Sequence, residues 1–551
     1  MITPAQWSPV AVELLEPGAR AAITAIHGHS MVVANPGSGK TELLAQRADF
    51  VLRTGTSRYP KKILAISFKT DAAHTLRRRV RDRSGFDHAH RLNSMTFDAF
   101  ARRIIAIYRP LLRPKDRLDH GFKVGVNRVN TIQVAFKELV PLAQQLIERH
   151  PMIKRSINMA YSHVFLDEFQ DCTSAQYKLI HTLFKDTPTS ITAVGDAKQK
   201  IMGWAGALDG VMGKFADEFA AVPLKLVQNW RSDPAIRRVQ NRMIIQMEPA
   251  SAVAENDIVG DEGRVYLAHF ADEQAEATRI AEKIEEWIAE GIAPHEIAIL
   301  HSRQSVLFNQ AIDGELDRRG IPRRNEQELQ DLASEPATEF VVNLLRVLGR
   351  TPAPNAYASV LYALAEQHDD DQSNWIRVLG RARDRVENGL VANQAELAFE
   401  ELRGVMELVP VATLLALSSE YDAARVSEIL AQAYELLGSF IREHGDLDQA
   451  LARFLDEGSV RVMTIHKCKG MEFECVVLPC TERETWWSRD SEDEKSNRSA
   501  YFVGVSRAKK NLVVTHVDRR SKPAQFPNRW DIERHPQDEF IGYVQAGALT
   551  L

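Results

Sequence analysis

The fold is indicated first by an apolar run that leads through a glycine-rich loop into a helical segment. From residue 31 the chain reads Met31-Val32-Val33-Ala34-Asn35-Pro36-Gly37-Ser38-Gly39-Lys40-Thr41. An apolar run without polar alternation predicts a strand buried on both faces, as in parallel sheets covered by helices. Helical periodicity follows over residues 41–52. The stretch therefore predicts the strand, loop and helix of an α/β domain.

Similar short apolar runs recur, and several end in polar clusters, where open parallel sheets bind their ligands. They lie at 63–66, 164–166, 191–194, 297–300, 460–465, 475–478 and 512–514. This rhythm stops in two helical stretches. We predict an α/β fold with two cores that have parallel sheets, each carrying a short helical insertion. The first core comprises 1–105 and 161–222 with its insertion at 106–160, and the second comprises 223–350 and 458–551 with its insertion at 351–457.

Composition limits the class of protein. A chain of 551 residues accommodates two to four domains, and 44% hydrophobic residues argue against a disordered chain. No apolar run approaches the roughly 20 residues that a membrane span needs. Four cysteines suit a reducing compartment, so we expect a cytoplasmic protein without a membrane partner. The net charge of −5 does not indicate nucleic-acid binding, but basic residues cluster at 77–83 and 102–115.

The glycine-rich loop has the composition of a phosphate-binding loop. Glycine lets backbone N–H groups approach phosphates, a lysine reaches the β- and γ-phosphates, and a hydroxyl ligates Mg²⁺. The strand before the loop and the helix after it are the context that such a match requires. We predict ATP as a ligand, with Thr41 as a Mg²⁺ ligand. The predicted nucleotide contacts are Asn35, Pro36, Gly37, Ser38, Gly39, Lys40 and Thr41.

Two acids follow a second predicted strand. Asp167 can hold Mg²⁺ through its water shell, and Glu168 can orient and deprotonate an attacking water. Isolated acid pairs are also common at helix N-termini. Together with the phosphate loop, the pair predicts a nucleotide hydrolase.

The chain resembles superfamily 1 DNA helicases of the UvrD/Rep/PcrA type. Segments in the family's order resemble motifs Ia, Ib, II, III, IV, V and VI. The resemblance implies two RecA-like P-loop cores and ATP-driven movement on single-stranded DNA, or on DNA with a single-stranded tail, in the 3′ to 5′ direction. The segments are 67–73, 96–100, 167–171, 195–199 with 203–207, 228–232, 464–473 and 503–508.

The resemblance also implies roles for single residues. Gln199 would sense the γ-phosphate, and Arg231 and Arg507 would act as arginine fingers. A planar, permanently charged guanidinium suits the charge that develops on a transferred phosphoryl group. Trp230 would stack on the base and Glu472 would contact the ribose.

DNA contacts are implied in the same way. Phe68 and Trp204 match positions that stack on bases, while Thr96 and His466 match positions that contact phosphates. Aromatic faces and phosphate-binding groups are what a motor on single-stranded DNA needs. The arginine cluster at 77–83 is a further candidate DNA-facing surface.

Two positions depart from the family. Ala19 stands where a glutamine usually reads adenine, and Glu42 stands where an arginine usually packs on the base. Stacking on Trp230 alone distinguishes bases poorly. We therefore predict relaxed nucleotide selectivity.

Three functions are consistent with the sequence. The first is a helicase that unwinds DNA in repair or replication. The second is a DNA-stimulated ATPase subunit whose nuclease partner is a separate protein, because the insertions are short and about 40 residues follow motif VI. Compact chains of this kind resemble helicase subunits of antiphage defence pairs such as Gabija. The third, a DNA-binding scaffold with a vestigial ATPase, is disfavoured by the intact Lys40 and Glu168.

Overall fold

The computed structural model describes residues 2–12, 14–68, 70–201, 206–302, 309–324, 332–333, 335–365, 371–390, 393–417, 421, 423–455, 458–523 and 530–551. Over these residues the chain divides into two compact units. The first unit comprises Met1–Asn325 with Val460–Leu551, and the second comprises Glu326–Ser459.

The first unit contains the strands and the helices that surround them. Its strands are β1 (Ser30–Ala34), β2 (Lys62–Ser67), β3 (Leu92–Thr96), β4 (Lys123–Gly125), β5 (Gln133–Ala135), β6 (Tyr161–Leu166), β7 (Ser190–Gly195), β8 (Val222–Leu226), β9 (Arg264–Asp272), β10 (Ile297–His301), β11 (Arg323–Arg324), β12 (Val460–Thr464), β13 (Phe473–Leu478), β14 (Ala508–Arg519) and β15 (Leu549–Thr550). Its helices before the second unit are α1 (Pro17–Thr24), α2 (Lys40–Arg53), α3 (Thr70–Ser84), α4 (Phe86–Ala89), α5 (Phe97–Tyr108), α6 (Phe136–Arg149), α7 (Pro151–Ala160), α8 (Ser174–Phe184), α9 (Val211–Phe219), α10 (Pro234–Met247), α11 (Glu273–Ala289) and α12 (Gln310–Arg318).

The second unit is helical over its described residues. Its helices pack around a core that includes Leu345, Trp375, Leu402, Phe440 and Phe454. They are α13 (Pro336–Leu348), α14 (Pro354–Ala365), α15 (Asp371–Glu387), α16 (Gln394–Leu408), α17 (Val411–Ala416), α18 (Ala423–His444) and α19 (Leu447–Leu455). The chain then returns to the first unit, which contains α20 (Ser491–Val505) and α21 (Asp538–Gln545).

The described strands of the first unit form two large parallel sheets. One has the order β3-β2-β6-β7-β1-β8, and the other has the order β11-β12-β10-β13-β14-β9-β15. Each apolar run predicted as a strand lies in one of these sheets, although the predicted run 460–465 ends one residue earlier, at Thr464. The predicted α/β fold with parallel sheets is therefore observed.

Burial on both faces explains why these strands lack polar alternation. Leu64 of β2 packs into a cluster with Phe184 on one side of the first sheet. Its neighbour Ile63 packs with Phe50 and Phe165 on the opposite side. Successive strand residues point to opposite faces, so a sheet covered on both sides requires an unbroken apolar run.

The stretch 106–160, predicted as helical, also contains a short pair of parallel strands. Residues of β4 pair with β5 over Lys123–Gly125 and Gln133–Ala135. Phe122 and Val134 are buried beside this pair, at 4% and 0% exposure. Two isolated apolar residues are too few to reveal a three-residue strand in the sequence.

Parallel pairing brings several predicted residues to one edge of the first sheet. Asn35 follows β1, Phe68 follows β2, and Thr96 ends β3. Asp167 follows β6 and Asp196 follows β7. The carboxyl ends of parallel strands lie at the same edge, and this is where such sheets bind ligands.

Within the part of the chain that the structure describes, none of the helices combines the length and apolar content that crossing a membrane requires.

Candidate functional site

The glycine-rich loop joins β1 to α2 in a conformation that requires glycine. Gly37 and Gly39 have φ of +68° and +83°, in the left-handed region. A Cβ at Gly37 would lie 2.8 Å from Cβ of Arg231 and closer still to Oδ1 of Asn229. The loop thus leaves its backbone N–H groups near the start of α2, where the helix dipole favours an anion. This geometry fits the phosphates of a nucleotide.

The buried side of the phosphate loop is formed by Asn35, Pro36 and Ser38. Pro36 and Ser38 are buried, and the Ser38 hydroxyl donates to the Asn35 carbonyl at 2.7 Å. The Asn35 amide Nδ2 donates to the Ser251 carbonyl at 3.2 Å. Asn35 and Ser38 therefore hold the loop in shape through hydrogen bonds within the protein.

Lys40 and Thr41 form the first turn of α2. The Lys40 ammonium Nζ lies 3.8 Å from Oε1 of Glu168, which follows β6. Thr41 is partly buried on the same turn. The cation of the loop and the predicted catalytic acid thus face one another.

Asp167 and Glu168 are adjacent carboxylates in very different electrostatic surroundings. Burial and the neighbouring charge of Glu168 raise the pKa of Asp167, whose Oδ1 accepts the Glu168 N–H at 2.9 Å. Burial also opposes ionisation of Glu168, but the ammonium groups of Lys40 and Lys469 outweigh it and lower the pKa of this carboxyl. A buried carboxylate with a raised pKa is stabilised by a cation, so Asp167 fits a divalent metal ion.

Gln199 and Arg507 meet between the two sheets. Gln199 lies in the short 3₁₀ turn Ala197–Gln199 after β7, and Arg507 lies between α20 and β14. The Arg507 guanidinium donates from Nη2 to Oε1 of Gln199 at 2.8 Å. Burial and the charge of Arg231 lower the pKa of Arg507 to about 10, which still leaves it charged at neutral pH.

Trp230 and Arg231 lie directly beside the phosphate loop. The Trp230 backbone N–H donates to the Gly37 carbonyl at 2.9 Å, and its side chain is 55% exposed. Arg231 pairs through Nε with Oε2 of Glu472 at 2.7 Å and donates from Nη1 to the Ser506 carbonyl at 3.1 Å. The structure therefore brings the predicted base, ribose and finger residues to the side of the loop.

Lys469 is a site residue to which the sequence analysis assigned no role. It is buried at 6% exposure and forms an ion pair with Asp171. Its Nζ donates to the Gln199 carbonyl at 2.9 Å and lies 3.7 Å from Oε2 of Glu168. The only local signal was its place in the segment 464–473, since its partner Asp171 is 298 residues away in the chain.

Glu42 is bound by two arginines of the cluster at 77–83. Arg83 donates from Nε to Oε1 of Glu42 at 3.0 Å, and Arg79 donates from Nη1 to Oε2 at 3.3 Å. Gln46 donates to the same carboxylate at 2.7 Å and also binds the backbone of Val10. Arg79 and Arg83 thus connect α3 to α2, the helix that follows the phosphate loop.

The predicted DNA contacts lie in two places. Partly buried Phe68 and Thr96 follow neighbouring strands, since Ser67 pairs with Thr96 in the sheet register. The Thr96 hydroxyl caps α5 by accepting the Ala99 N–H at 3.2 Å. Trp204 lies outside the described residues.

His466 lies in the turn after β12 and lines a large cleft. The cleft has a volume of about 1160 Å³, and its lining combines basic and acidic side chains. Lys200 and Arg489 are among the basic residues of this lining, and Lys198 lies behind them with its side chain 2% exposed.

These features define a class of protein first. A phosphate loop, paired acids and charged side chains from a second parallel sheet, gathered at one site, make up a two-core P-loop nucleotide hydrolase.

Comparison with known proteins then shows the family. The profile of the UvrD/REP helicase N-terminal domain matches residues 15–127 and 126–220. The profile of the UvrD-like helicase C-terminal domain matches residues 224–330 and 359–519. The chain belongs to the UvrD/REP helicase family and is an enzyme of this type. The predicted family and the predicted fold of two RecA-like cores are confirmed.

Individual relatives are distant but span the chain. DNA helicase II of Haemophilus influenzae is 25% identical, over 95% of this chain and 86% of the relative. A probable DNA helicase II homolog of Rickettsia conorii is 22% identical, over 92% and 93%. ATP-dependent DNA helicase PcrA of Leuconostoc citreum is 24% identical, over 94% and 84%.

Proposed function

We propose that this helicase hydrolyses ATP to move along single-stranded DNA in the 3′ to 5′ direction and to separate a duplex ahead of it. One observation carries the proposal: Arg507, beside the second sheet, donates to Gln199, beside the first sheet, at 2.8 Å. A site built from two sheets is complete only when they approach each other. Hydrolysis and sheet movement are then coupled, as in other enzymes whose closure assembles the site.

We assign ATP binding to residues 35–41, with Trp230 stacking on the base and Glu472 at the ribose. Thr41 and Asp167 would hold a magnesium ion, which neutralises charge on the phosphates. Burial and the neighbouring charge of Glu168 raise the pKa of Asp167, which supports this assignment because a divalent cation would stabilise its ionised carboxylate.

In the hydrolytic step, Glu168 accepts a proton from the attacking water. Lys40 and Lys469 favour the ionised form of Glu168, which keeps it a proton acceptor at neutral pH. Gln199 orients the water near the γ-phosphate. The two ammonium groups lie close enough to act on this carboxylate, with Lys40 Nζ 3.8 Å from Oε1 and Lys469 Nζ 3.7 Å from Oε2 of Glu168.

Arg231 and Arg507 stabilise the charge on the transferred phosphoryl group. Both guanidinium groups contact protein acceptors in the structure, Glu472 and Gln199 respectively. Each finger reaches a phosphate oxygen by exchanging such an acceptor for it. The exchange favours the transition state because a guanidinium placed where charge develops during transfer stabilises the transition state more than the ground state.

DNA binding is assigned to two surfaces. Phe68 and Thr96 lie at the carboxyl edge of neighbouring strands, and His466 lies in the cleft with basic side chains. Trp204 completes the set through the family resemblance. A stacked base contributes about 1–3 kcal/mol in such tracks.

Two measurements test the proposal. ATP hydrolysis is measured with and without single-stranded DNA, with Lys40→Ala as the inactive control, and we expect stimulation by DNA. Unwinding is then compared on duplexes with a 3′ or a 5′ tail, and we expect activity on the 3′ tail. Stimulated hydrolysis without unwinding by the isolated chain would favour the ATPase subunit with a nuclease partner. An equal rate of ATP hydrolysis with and without single-stranded DNA would contradict the proposal that the protein is a DNA motor.

A further inference from the structure

Lys198 is a buried cation that the hydrolytic mechanism above does not use. It lies in the Ala197–Gln199 turn, and its side chain is 2% exposed. Its Nζ lies 2.9 Å from Oδ1 of Asp196 and 2.6 Å from Oε2 of Glu248. Burial disfavours the charged ammonium, but Asp196 and Glu248 outweigh it and raise the pKa of Lys198 above its usual value. Lys198 is therefore a charged bridge between two acids.

The two acids belong to opposite sides of the site. Asp196 follows β7 of the first sheet and accepts Nε2 of Gln199 at 2.7 Å. Glu248 directly follows α10, whose Ile236 and Met243 pack into the core of the second sheet. The bridge thus joins the turn that orients Gln199 to a helix packed on the other sheet.

The middle of α10 contacts the segment that carries the proposed finger. This helix has 14 residues and is about 21 Å long. Gln240, in its middle, accepts Nδ2 of Asn229 at 2.8 Å and donates to the Ser232 hydroxyl at 3.1 Å. Asn229 and Ser232 flank Trp230 and Arg231, so the position of α10 sets the position of the finger.

The Glu248 end of α10 is anchored a second time. Glu248 leads into the 3₁₀ turn Pro249–Ser251, and the Ser251 carbonyl accepts the Asn35 amide of the phosphate loop at 3.2 Å. The Glu248 end of the helix thus contacts two nucleotide-binding segments, while Gln240 in its middle contacts the segment with the finger, which lies just before the helix begins.

We propose that the Lys198–Glu248 pair is a latch that fixes α10, and with it Arg231, relative to Gln199 and the phosphate loop. Lys198 and Glu248 are then positioning residues for hydrolysis. The proposal rests on the proposed roles of Arg231 and Gln199.

The chemistry of the pair suits positioning better than stabilisation. An ion pair with a buried member contributes little net stability compared with an apolar pair, because the Lys198 ammonium loses its hydration and the half-buried Glu248 carboxylate loses part of its own. The best-attested use of such a pair is to specify one arrangement of two elements. A displaced α10 would leave the buried Lys198 ammonium with Asp196 as its single carboxylate partner and would remove the 2.6 Å contact with Glu248. A latch of this kind admits one position of α10 at a time.

The test uses the full chain with four variants: Lys198→Met, Glu248→Gln, the double variant, and Lys198→Arg. Hydrolysis of ATP is measured at saturating single-stranded DNA. We expect kcat to fall about tenfold in both single substitutions, because misplacement of a catalytic group costs about that much or more. We expect KM for ATP to stay roughly unchanged, as for a contribution made only in the transition state.

Non-additivity identifies the latch. The double variant should be no slower than either single variant, because each substitution already breaks the same pair. Lys198→Arg should recover most of the activity, since it restores the charge. Lys214→Met is the matched control, because Lys214 forms an exposed pair with Glu218 on α9 and should leave kcat unchanged.

A second readout does not depend on activity. Amide hydrogen exchange without ATP should accelerate in Glu248→Gln both at residues 195–201 and at 240–251, because the latch protects both segments. Additive kinetic effects, or faster exchange confined to 240–251, would overturn the latch. Hydrolysis absent from the unmodified chain would instead overturn the proposed function, so the two failures are distinguishable.

One of the variants also tests the latch if another does not fold. Lys198→Met leaves buried Asp196 without its cation and removes the partner of the half-buried Glu248, and this can unfold the chain. Glu248→Gln keeps the size and a hydrogen-bond acceptor for Lys198, so its kcat and its hydrogen exchange still test the latch if Lys198→Met does not fold.

Discussion

The Arg507 guanidinium donates to the Gln199 side chain at 2.8 Å, although the two residues are 308 positions apart in the chain. Gln199 follows β7 in the first sheet and Arg507 precedes β14 in the second. This hydrogen bond therefore forms only when the two sheets lie close together. The proposed γ-phosphate sensor and a proposed arginine finger thus contact each other directly.

Arg507→Ala should abolish most hydrolysis. An arginine finger contributes about 10³–10⁵ in turnover, so we expect kcat to fall at least 10³-fold. Arg507→Lys should restore little, because a lysine cannot reproduce the forked contacts of the guanidinium with Gln199 and the Met471 carbonyl. Steady-state ATP hydrolysis with DNA measures both variants. Full activity of Arg507→Ala would remove Arg507 from the mechanism.

Lys469→Met should change the pH dependence of hydrolysis as well as its rate. Lys469 is one of the cations that lower the pKa of Glu168, so its removal raises that pKa. In the proposed mechanism Glu168 acts when it is deprotonated, and the acid limb of the rate profile should therefore move to higher pH. The measurement is kcat against pH from acid to neutral.

A matched variant separates this effect from a general loss of charge. Lys178→Met removes a lysine that pairs with Glu148 on the surface. Its pH profile should coincide with that of the unmodified enzyme. A slower Lys469→Met with an unmoved acid limb would show that Lys469 does not act through Glu168.

Nucleotide selectivity should be relaxed. Ala19 offers no hydrogen-bonding side chain, and the Glu42 carboxylate is already held by Arg79, Arg83 and Gln46. Stacking on Trp230 distinguishes one purine from another poorly, so we expect kcat/KM for GTP within about tenfold of that for ATP. Parallel hydrolysis assays with the two nucleotides measure the ratio. Strict preference for ATP would disprove the prediction.

Gly37→Ala should weaken nucleotide binding more than it weakens the fold. The left-handed φ of +68° costs an alanine roughly 1–2 kcal/mol, and the added Cβ would press on Asn229 and Arg231. Opening the loop to relieve this contact misplaces the phosphate-binding N–H groups. We expect at least about tenfold weaker binding of a fluorescent ATP analogue, since 1.4 kcal/mol corresponds to that factor.

Gly28→Ala provides the control for backbone strain alone. Gly28 has a φ of +83°, but a Cβ there meets no heavy atom within 4 Å. It should lower the melting temperature without changing nucleotide affinity. Equal affinity losses in both variants would mean that strain, and not the contact with Asn229 and Arg231, causes the effect.

The sequence alone determined the α/β fold with parallel sheets and the motifs that directly follow one strand. Strands such as β2 are buried on both faces, and burial leaves an unbroken apolar run that can be read locally. The phosphate loop and Asp167-Glu168 are also local, because the elements that give each motif its context adjoin it in the chain. The roles of Trp230, Arg231, Glu472 and Arg507 came from the order of motifs and stay predictions.

Only the tertiary structure determined which charges face each other. Lys469 meets Asp171 across 298 residues, Arg231 meets Glu472 across 241, and Lys198 meets Glu248 across 50. The sequence around a charged residue does not indicate its partner, because the same neighbouring residues surround charged side chains that are solvated and charged side chains that are buried in a pair. The pairs form where β7, α10 and the turn after β12 converge, and packing of the two sheets sets that convergence.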